Sequence, residues 1–192
     1  EILRCLVGSE MCIRDRKGWD ENKLDFFRRH IVQLGRSGLF VVYDELVGKE
    51  PVEWNYLLHT VELPMEVAEE KDGLRILGKN KADGVSIAHL FSSQKMTYAQ
   101  TDTFFVAAVD WKKRLGKTLS NHYHFTATTA SCSKICFLNV IDVHGNNRAD
   151  AVINRERNRI TVEEWVIECN LEGEGNAFLY IENKQNLSLI HI

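Results

Sequence analysis

Hydrophobic and polar residues alternate with a period of two along most of the chain. The clearest case is PVEWNYLLHT, residues 51–60, where one face would carry Val52, Trp54, Tyr56 and Leu58 and the other Glu53, Asn55, Leu57 and His59. This pattern indicates a half-buried β-strand, because successive side chains of a strand point to opposite faces. Pro51 lies at the edge of this strand, where a missing backbone N–H is tolerated.

The same analysis predicts strands along most of the chain. DFFRRHIVQLG and GLFVVYDEL flank the turn sequence GRSG, as expected of a hairpin. Later strand candidates are GLRILG, GVSIAHLF, TFFVAAV, NHYHFTATTA, KICFLNVIDVH, NRITVEEWVIEC and NAFLYIEN, separated by turns such as KDG, KADG, HGNN and EGEG. A turn about every ten residues predicts an all-β fold, an antiparallel β-sandwich. Residues 61–70 and 110–118 are interpreted as connections, and no helix is predicted.

The two ends of the chain do not follow this pattern. Residues 6–16, LVGSEMCIRDR, fit neither a helical stripe nor strand alternation. Back-translation of residues 5–16 gives DNA that resembles a transposase-based sequencing adapter, and the reverse complement of its last part encodes residues 187–192. We therefore expect residues 1–16 and 187–192 to be adapter-derived and residues 17–186 to be a β-sandwich fragment of a longer, metagenomic protein. Cys5 and Cys12 are excluded with the first segment.

Composition and charge narrow the function classes. The 192 residues are 44% hydrophobic and 27% charged, as in an ordinary globular domain. The net charge of −3, with bases and acids interspersed, argues against a nucleic-acid partner. No apolar run is long enough for a membrane span. Cys132 and Cys136 are four apart on one predicted strand, about 13 Å along it, so with Cys169 they are expected to be buried thiols.

The candidate ligand-facing residues are three histidines and a tryptophan. His122 and His124 would share one face of a strand and present two imidazoles to a metal or a sugar carboxylate. His59 ends its strand on the polar face and could close a groove. Trp54, like Trp111 and Trp165, could stack on a sugar ring, although core packing is the commoner role of such a residue. The substrate-facing candidates are His59, His122, His124 and Trp54.

No complete active site is predicted. A bare His-x-His pair falls short of a zinc pattern, so no metal site or other cofactor is expected in the chain. DVHGNNRAD, residues 142–150, departs from the calcium-loop order and is interpreted as a polar turn. Glu163 and Glu164 would alternate faces on a strand, which disfavours a shared acid–base role. The chain also lacks a phosphate-binding glycine loop and a nucleophile elbow.

Two longer segments carry a resemblance to a known family. FRRHIVQLGRSGLFVVYDELVGKEPVEWNYLLHT and NHYHFTATTASCSKICFLNVIDV resemble the heparinase II/III-like polysaccharide lyases. The similarity is to the back half of the β-sandwich that follows the helical toroid of these enzymes, and it covers most of residues 24–142. Its most telling strings are Arg28-Arg29-His30, Tyr43-Asp44-Glu45-Leu46, the strand from Trp54 to His59, and His124-Phe125-Thr126-Ala127.

The resemblance implies β-elimination on uronic-acid polysaccharides, in which a tyrosine or histidine removes the proton beside the sugar carboxylate. In the family the catalytic residues come mainly from the toroid, and a His-x-His-x-Asp string near the start of the sandwich serves a metal site. Neither occurs in residues 17–186, so catalytic residues and the zinc ion that the parent family carries are expected outside this fragment.

The expected function is therefore that of a non-catalytic portion of a polysaccharide lyase, inactive by itself. It would support the missing toroid domain and form one wall of the substrate cleft. Its partners would be that toroid and an acidic polysaccharide, with glycosaminoglycan, alginate and plant uronates all open, and its location periplasmic or secreted. The alternative is a stand-alone carbohydrate-binding β-sandwich module; an adhesion-like structural domain has no positive support.

Overall fold

The computed structural model describes residues 23–35, 38–61, 63–102, 122–185 and 189–191. Within these ranges the regular structure consists of strands alone: β1 (Leu24–Leu34), β2 (Leu39–Val52), β3 (Asn55–Val61), β4 (Glu66–Glu70), β5 (Gly73–Lys79), β6 (Gly84–Ser92), β7 (Met96–Thr101), β8 (His122–Thr129), β9 (Cys132–Gly145), β10 (Ile153–Glu156), β11 (Arg159–Val162), β12 (Trp165–Cys169), β13 (Leu179–Asn183) and β14 (Leu189–His191). No helix of the described part is long and apolar enough to cross a membrane.

The strands form three sheets. The central sheet has the order β1-β2-β9-β6-β5-β4, the small sheet β3-β8-β7, and the terminal sheet β10-β11-β12-β13-β14. Every pair is antiparallel. The small and terminal sheets cover opposite faces of the central sheet, with a hydrophobic core on each side. This confirms the predicted all-β, antiparallel sandwich and adds a third layer that the alternation pattern did not reveal.

Strand β9 shows how one strand contributes to both cores. Ile135 and Phe137 pack toward the small sheet, whereas Cys136, Leu138 and Val140 pack toward the terminal sheet. A strand covered on both faces reads as a nearly continuous hydrophobic run, and KICFLNVI is such a run. Burying each large side chain stabilises the fold by about 1.5–3 kcal/mol. Because β9 buries such side chains on both faces, it stabilises both cores.

The predicted hairpin between the first two strands is confirmed. β1 pairs with β2 from Leu24 to Leu34, and Leu34 faces Leu39 across the turn. Gly38 has a φ of +80°, and a Cβ atom there would lie 2.3 Å from the carbonyl oxygen of Val143. Glycine is needed at this position because the backbone is left-handed and because β9 approaches it closely.

Several sequence interpretations are corrected. Residues 61–70 are not merely a connection, since β4 pairs with β5 at the edge of the central sheet. NRITVEEWVIEC is two strands, with Val162 paired to Trp165 around a turn at Glu163 and Glu164. Strand β4 is charged and has one residue, Val67, partly buried against a core, and the turn between β11 and β12 contains neither glycine nor asparagine. The hydrophobic pattern therefore revealed neither the strand nor the turn. Strands β7 and β10 were also not predicted.

Other predictions lie outside the described residues or are not tested by them. Four predictions concern residues outside the described part. They are the strand TFFVAAV, the connection at residues 110–118, the role of Trp111 and the adapter origin of residues 1–16. Leu189–His191 pairs with β13, but strand pairing does not test the proposed coding origin of residues 187–192. Cys132, Cys136 and Cys169 are free thiols. Cys136 and Cys169 are buried as expected, whereas Cys132 is only partly buried.

Candidate functional site

Three histidines lie on the outer face of the small sheet. Strand β3 pairs with β8 so that His59 faces His124 directly, and His122 faces Val61 two positions further along. Tyr56 and Phe125 of these strands point inward into the core, so the alternate positions, including all three histidines, point outward. The structure therefore brings together three of the four candidates on one surface, hereafter the histidine face.

The histidine rings interact with one another. The rings of His59 and His124 lie edge to face, with their centroids 4.6 Å apart. His59 and His122 are exposed and His124 is partly buried. Partial desolvation lowers the pKa of His59, and the positive charges of His124 and His122 lower it further. Protonated imidazoles on this face therefore repel each other, and an anion placed among them would relieve that repulsion.

Neutral hydrogen-bonding groups surround the histidines. In register with the β8 residues, Thr101 of β7 pairs with His124, Ala99 with Thr126, and Thr97 with Thr128. The Thr128 hydroxyl donates to Asn55 Oδ1 at 2.7 Å. Leu57, between Asn55 and His59, is 55% exposed. The described outward positions of these three strands thus hold hydroxyls, an amide, small apolar groups and imidazoles, but no carboxylate.

Charged residues adjoin this face at the strand ends. Glu53 precedes β3, Lys95 precedes β7 and Asp102 follows β7. Two stretches outside the described residues also adjoin it in sequence. Their charged residues are Glu62, after β3, and, between β7 and β8, Asp110, Lys112, Lys113, Arg114 and Lys117.

The structure places Trp54 on the opposite side of the small sheet. Its side chain is 8% exposed and belongs to the core against the central sheet. The indole N–H donates to the carbonyl of Cys132 at 2.9 Å, and the backbone N–H donates to the Thr129 hydroxyl at 3.2 Å. Trp54 therefore connects β3 to the start of β9 and offers no open ring face to a sugar. Trp165 is likewise buried, in the core under the terminal sheet.

The described residues do not fit a metal centre. No three or more of their histidine, cysteine, aspartate and glutamate side chains are arranged to hold a metal ion. The histidine face supplies imidazoles without a described carboxylate beside them, so the zinc site implied by the family resemblance is not assigned to it.

Two of the four strings singled out for their family resemblance meet in an ion pair whose carboxylate is buried. Arg29 faces Asp44 across β1 and β2, and its Nε and Nη2 atoms donate to the two carboxylate oxygens, each at 2.7 Å. Burial raises the pKa of Asp44, although the hydrogen bonds and charge of Arg29 act in the opposite direction. Nearby, the Asn139 amide donates to the Tyr56 hydroxyl at 3.2 Å. The Arg29–Asp44 pair links β1 to β2 within the central sheet, and the Asn139–Tyr56 hydrogen bond links the central sheet to the small sheet.

The segment DVHGNNRAD is only in part the polar turn that the sequence predicted, because residues 142–145 are the end of strand β9 and the turn follows them. Asp142 is buried and accepts hydrogen bonds from the Arg148 guanidinium and, at 2.8 Å, from the backbone N–H of Ala151. His144 Nε2 lies 3.3 Å from an oxygen of Asp150, whose other oxygen accepts from Arg75 at 2.8 Å. The sequence did not indicate this partnership, because Arg75 comes from β5, far away in the chain.

A shallow cleft of about 400 Å³ lies between the β4–β5 and β6–β7 turns. Arg155 at its edge lies over the ring of Phe91 and donates to the carbonyl of Asp72. The lining carries equal numbers of acids and bases, namely Glu69, Glu70, Asp72, Lys71, Lys95 and Arg155. This balance gives the cleft no preference for an anion, so the histidine face is the stronger candidate site.

Comparison with known proteins shows a likeness of fold. No family model matches the chain, and no curated protein matches it. A solved structure described as "Heparinase III-BT4657 gene product" matches with a TM-score of 0.53 and 11% identity over 90% of this chain. A form of it with methylated lysines gives a TM-score of 0.46 and 10% identity, over 86% of this chain and 23% of that one. The chain spans 24% of the first structure. It is a distant structural relative of part of heparinase III.

Proposed function

We propose that this chain is the non-catalytic β-sandwich portion of a polysaccharide lyase that cleaves uronic-acid polysaccharide by β-elimination. One observation carries the proposal: 90% of the chain matches the heparinase III structure, yet the match spans only 24% of that structure. The match to one part of a larger enzyme supports this interpretation of the chain. Its role is to pack against a helical toroid and to form one wall of the substrate cleft, in a secreted or periplasmic protein.

The chemistry of the described residues favours a non-catalytic role for the chain. β-Elimination needs a base within hydrogen-bonding reach of the sugar proton and polar groups that neutralise the neighbouring carboxylate. The imidazoles of the histidine face could neutralise a carboxylate. The tyrosine of the same strand, Tyr123, packs against the inner core, so the described part of β8 does not pair a tyrosine with these histidines. In this proposal the catalytic base lies in the toroid.

The experiment begins with the flanking coding sequence. The full-length gene product should raise the ultraviolet absorbance of an acidic polysaccharide solution as an unsaturated uronate forms, and residues 17–186 alone should not. The same polymer with its carboxylates reduced to alcohols is the control, because elimination requires the carboxylate. An upstream region without a helical domain bearing asparagine, tyrosine and histidine would refute the proposal, as would lyase activity in residues 17–186 alone.

A second candidate is a stand-alone carbohydrate-binding module. The observation that favours it is the outer face of the small sheet, where threonines and an asparagine surround exposed imidazoles. Such a module would bind polysaccharide without cleaving it, and its flanking sequence would encode no toroid. Binding by the chain, combined with inactivity of the full-length product, would select this alternative.

A further inference from the structure

We propose that the connection between β9 and β10, residues 146–152, is a pH-dependent latch between the central and terminal sheets, and that a proton on His144 Nε2 holds it closed. The latch does not depend on the proposed function, because all of its contacts lie within the chain. It gives a role to a group of buried charges that packing alone does not explain.

Polar contacts anchor this connection to the central sheet. The backbone N–H of Ala151 donates to Asp142 Oδ2 at 2.8 Å, and the Arg148 guanidinium donates to the other oxygen of the same carboxylate. Asp150 accepts a hydrogen bond from Arg75 of β5 at 2.8 Å. The side chain of Ala151 packs against the core under the terminal sheet. The connection therefore holds the start of the terminal sheet against the central sheet.

The hydrogen-bonding chemistry of His144 calls for a proton on both ring nitrogens. Nδ1 lies 2.7 Å from the carbonyl oxygen of Gly145, which can only accept, so Nδ1 carries a hydrogen. Nε2 faces Asp150 Oδ1 at 3.3 Å and Asp142 Oδ2 at 3.7 Å. It is buried and has no hydrogen-bond partner of good geometry among the described residues. Ionised carboxylates also only accept, so a bare Nε2 would face their lone pairs, whereas a protonated Nε2 attracts both.

The charges joined by these contacts leave room for one more positive charge. The acids of the network outnumber its bases by three to two, the acids being Glu70, Asp142 and Asp150 and the bases Arg75 and Arg148. The neighbouring charged groups come as one acid and one base each, namely Lys79 with Glu66, Lys81 with Asp83, and Arg155 with Asp72. One imidazolium would therefore balance the network.

His89, the other imidazole of the network, is the less suitable carrier of this charge. It is buried on β6 opposite Arg75, and its Nδ1 lies 3.3 Å from a carboxylate oxygen of Glu70. Burial, followed by the charge of Arg75, lowers the pKa of His89, and the charges of Glu70 and Asp150 offset this only in part. Above its ordinary value of 6.5, His89 is therefore neutral, which leaves His144 to carry the proton.

The sign of the pH dependence follows from linkage. A protonated Nε2 is attracted by Asp150 while the latch is closed and loses that attraction when the connection opens, so closing takes up a proton. The latch must then open as the pH rises from 6.5 to 8.0, where histidine loses its charge. Asp150 is 51% exposed, which weakens the ion pair, and the opening equilibrium should therefore change by about fivefold.

The test measures hydrogen exchange of the Ala151 amide in the 192-residue chain by NMR, at pH 6.5 and 8.0 with a chelator. This amide is held while it donates to Asp142, so its protection, corrected for the intrinsic exchange rate at each pH, reports opening. We expect protection to fall about fivefold at pH 8.0, together with a change in the ring nitrogen shifts of His144. The Val143 amide, which donates to the carbonyl of Gly38, is the internal control and should keep its protection. Equal protection of Ala151 at both pH values would overturn the inference, as would an equal loss at both amides.

Variants localise the proton. D150N removes the carboxylate nearest to Nε2 and should abolish the pH dependence of Ala151 protection, as should H144Q, because glutamine does not titrate. Circular dichroism should show an unchanged strand content for D150N, whose replaced side chain is half exposed. D83N is the matched control, because an amide oxygen at this position can still accept from Asn146, and it should retain the dependence. If D150N retains it as well, Asp150 does not receive the proton and the latch is disproved.

Discussion

At the scale of single residues, buried charge sets the strongest constraints. Asp44 is 2% exposed and lies beneath the side chain of Arg29, which is 44% exposed. A carboxylate in such a place is tolerated because two short hydrogen bonds offset part of its lost hydration. Its pKa is nevertheless raised by burial, which shows that desolvation is the larger effect. The pair therefore links β1 to β2 where Arg29 and Asp44 face each other, and the burial of its carboxylate carries a cost in free energy.

Replacing Arg29 tests this balance. R29A should lower the free energy of unfolding by about 2–4 kcal/mol at pH 7, because it leaves a buried carboxylate without its counterion. The loss should shrink as the pH falls toward 4. A carboxyl group whose folded-state pKa exceeds its ordinary value of 3.8 favours the folded state increasingly as it becomes protonated, and removing Arg29 raises that pKa further. Urea denaturation at several pH values measures the effect, and a constant loss from pH 7 to 4 would contradict it.

Two glycines of the β1–β2 turn make a matched pair. Gly35 and Gly38 both have positive φ, at +61° and +80°, so an alanine at either position is strained by about 1–2 kcal/mol. Only Gly38 would place its Cβ against backbone, 2.3 Å from the Val143 carbonyl oxygen, whereas at Gly35 the nearest contact is the Trp165 ring at 3.7 Å. G38A should therefore destabilise more than G35A, by about 2 kcal/mol in thermal or chemical unfolding. Equal losses would show that β9 yields easily at this contact.

At the scale of elements, strands with one or two buried faces could be predicted from the sequence, and exposed ones could not. The alternation of β3 and the continuous apolar run of β9 both result from burial. Strand β4, EVAEE, lies at an edge and shows little of either pattern. The candidate site, likewise, could be predicted from the sequence only in part. Local alternation predicted that His122 and His124 share a face, but their meeting with His59 depends on pairing between strands more than 60 residues apart.

The turn between β11 and β12 offers a test at this scale. Glu163 has a φ of 49°, which strains a residue with a side chain, whereas Glu164 is not among the positive-φ positions. E163G should raise the free energy of unfolding by about 0.5–1 kcal/mol, because relief of strain exceeds the added chain entropy. E164G should lower it by a similar amount, since only the entropy cost applies. Chemical denaturation of both variants measures the difference, and stabilisation by E164G would contradict the assigned turn.

At the scale of the whole molecule, the central sheet joins two cores into one structure. Cys136 and Cys169 are both fully buried in the core under the terminal sheet, one from the central sheet and one from the terminal sheet. Burial, followed by the neighbouring Cys136, raises the pKa of Cys169 to about 12. Cys132 is partly buried at the other core. The thiols therefore report on the two cores separately, Cys132 on one and Cys136 with Cys169 on the other.

Thiol labelling can show whether the terminal sheet detaches by itself. With iodoacetamide at pH 8.5 and increasing urea, Cys132 should react first, and Cys136 and Cys169 should become reactive together at the global unfolding transition. Peptide mass spectrometry resolves the three sites. Fully unfolded protein, in which all three should react at similar rates, is the control. Labelling of Cys136 and Cys169 at a urea concentration where the strand signal of the other sheets persists would show that the terminal sheet opens separately.

The position of β9 between β2 and β6 has a consequence for synthesis on the ribosome. Val52 ends β2 and Cys132 begins β9, so the neighbour of β2 emerges only after the intervening 80 or so residues, a delay of about 4–16 s at ordinary elongation rates. Until then β2 and β6 have unpaired edges in a chain that is still growing. The unpaired edges of two nascent chains could then pair with each other. We therefore expect closely spaced ribosomes on one message to lower the yield of folded product.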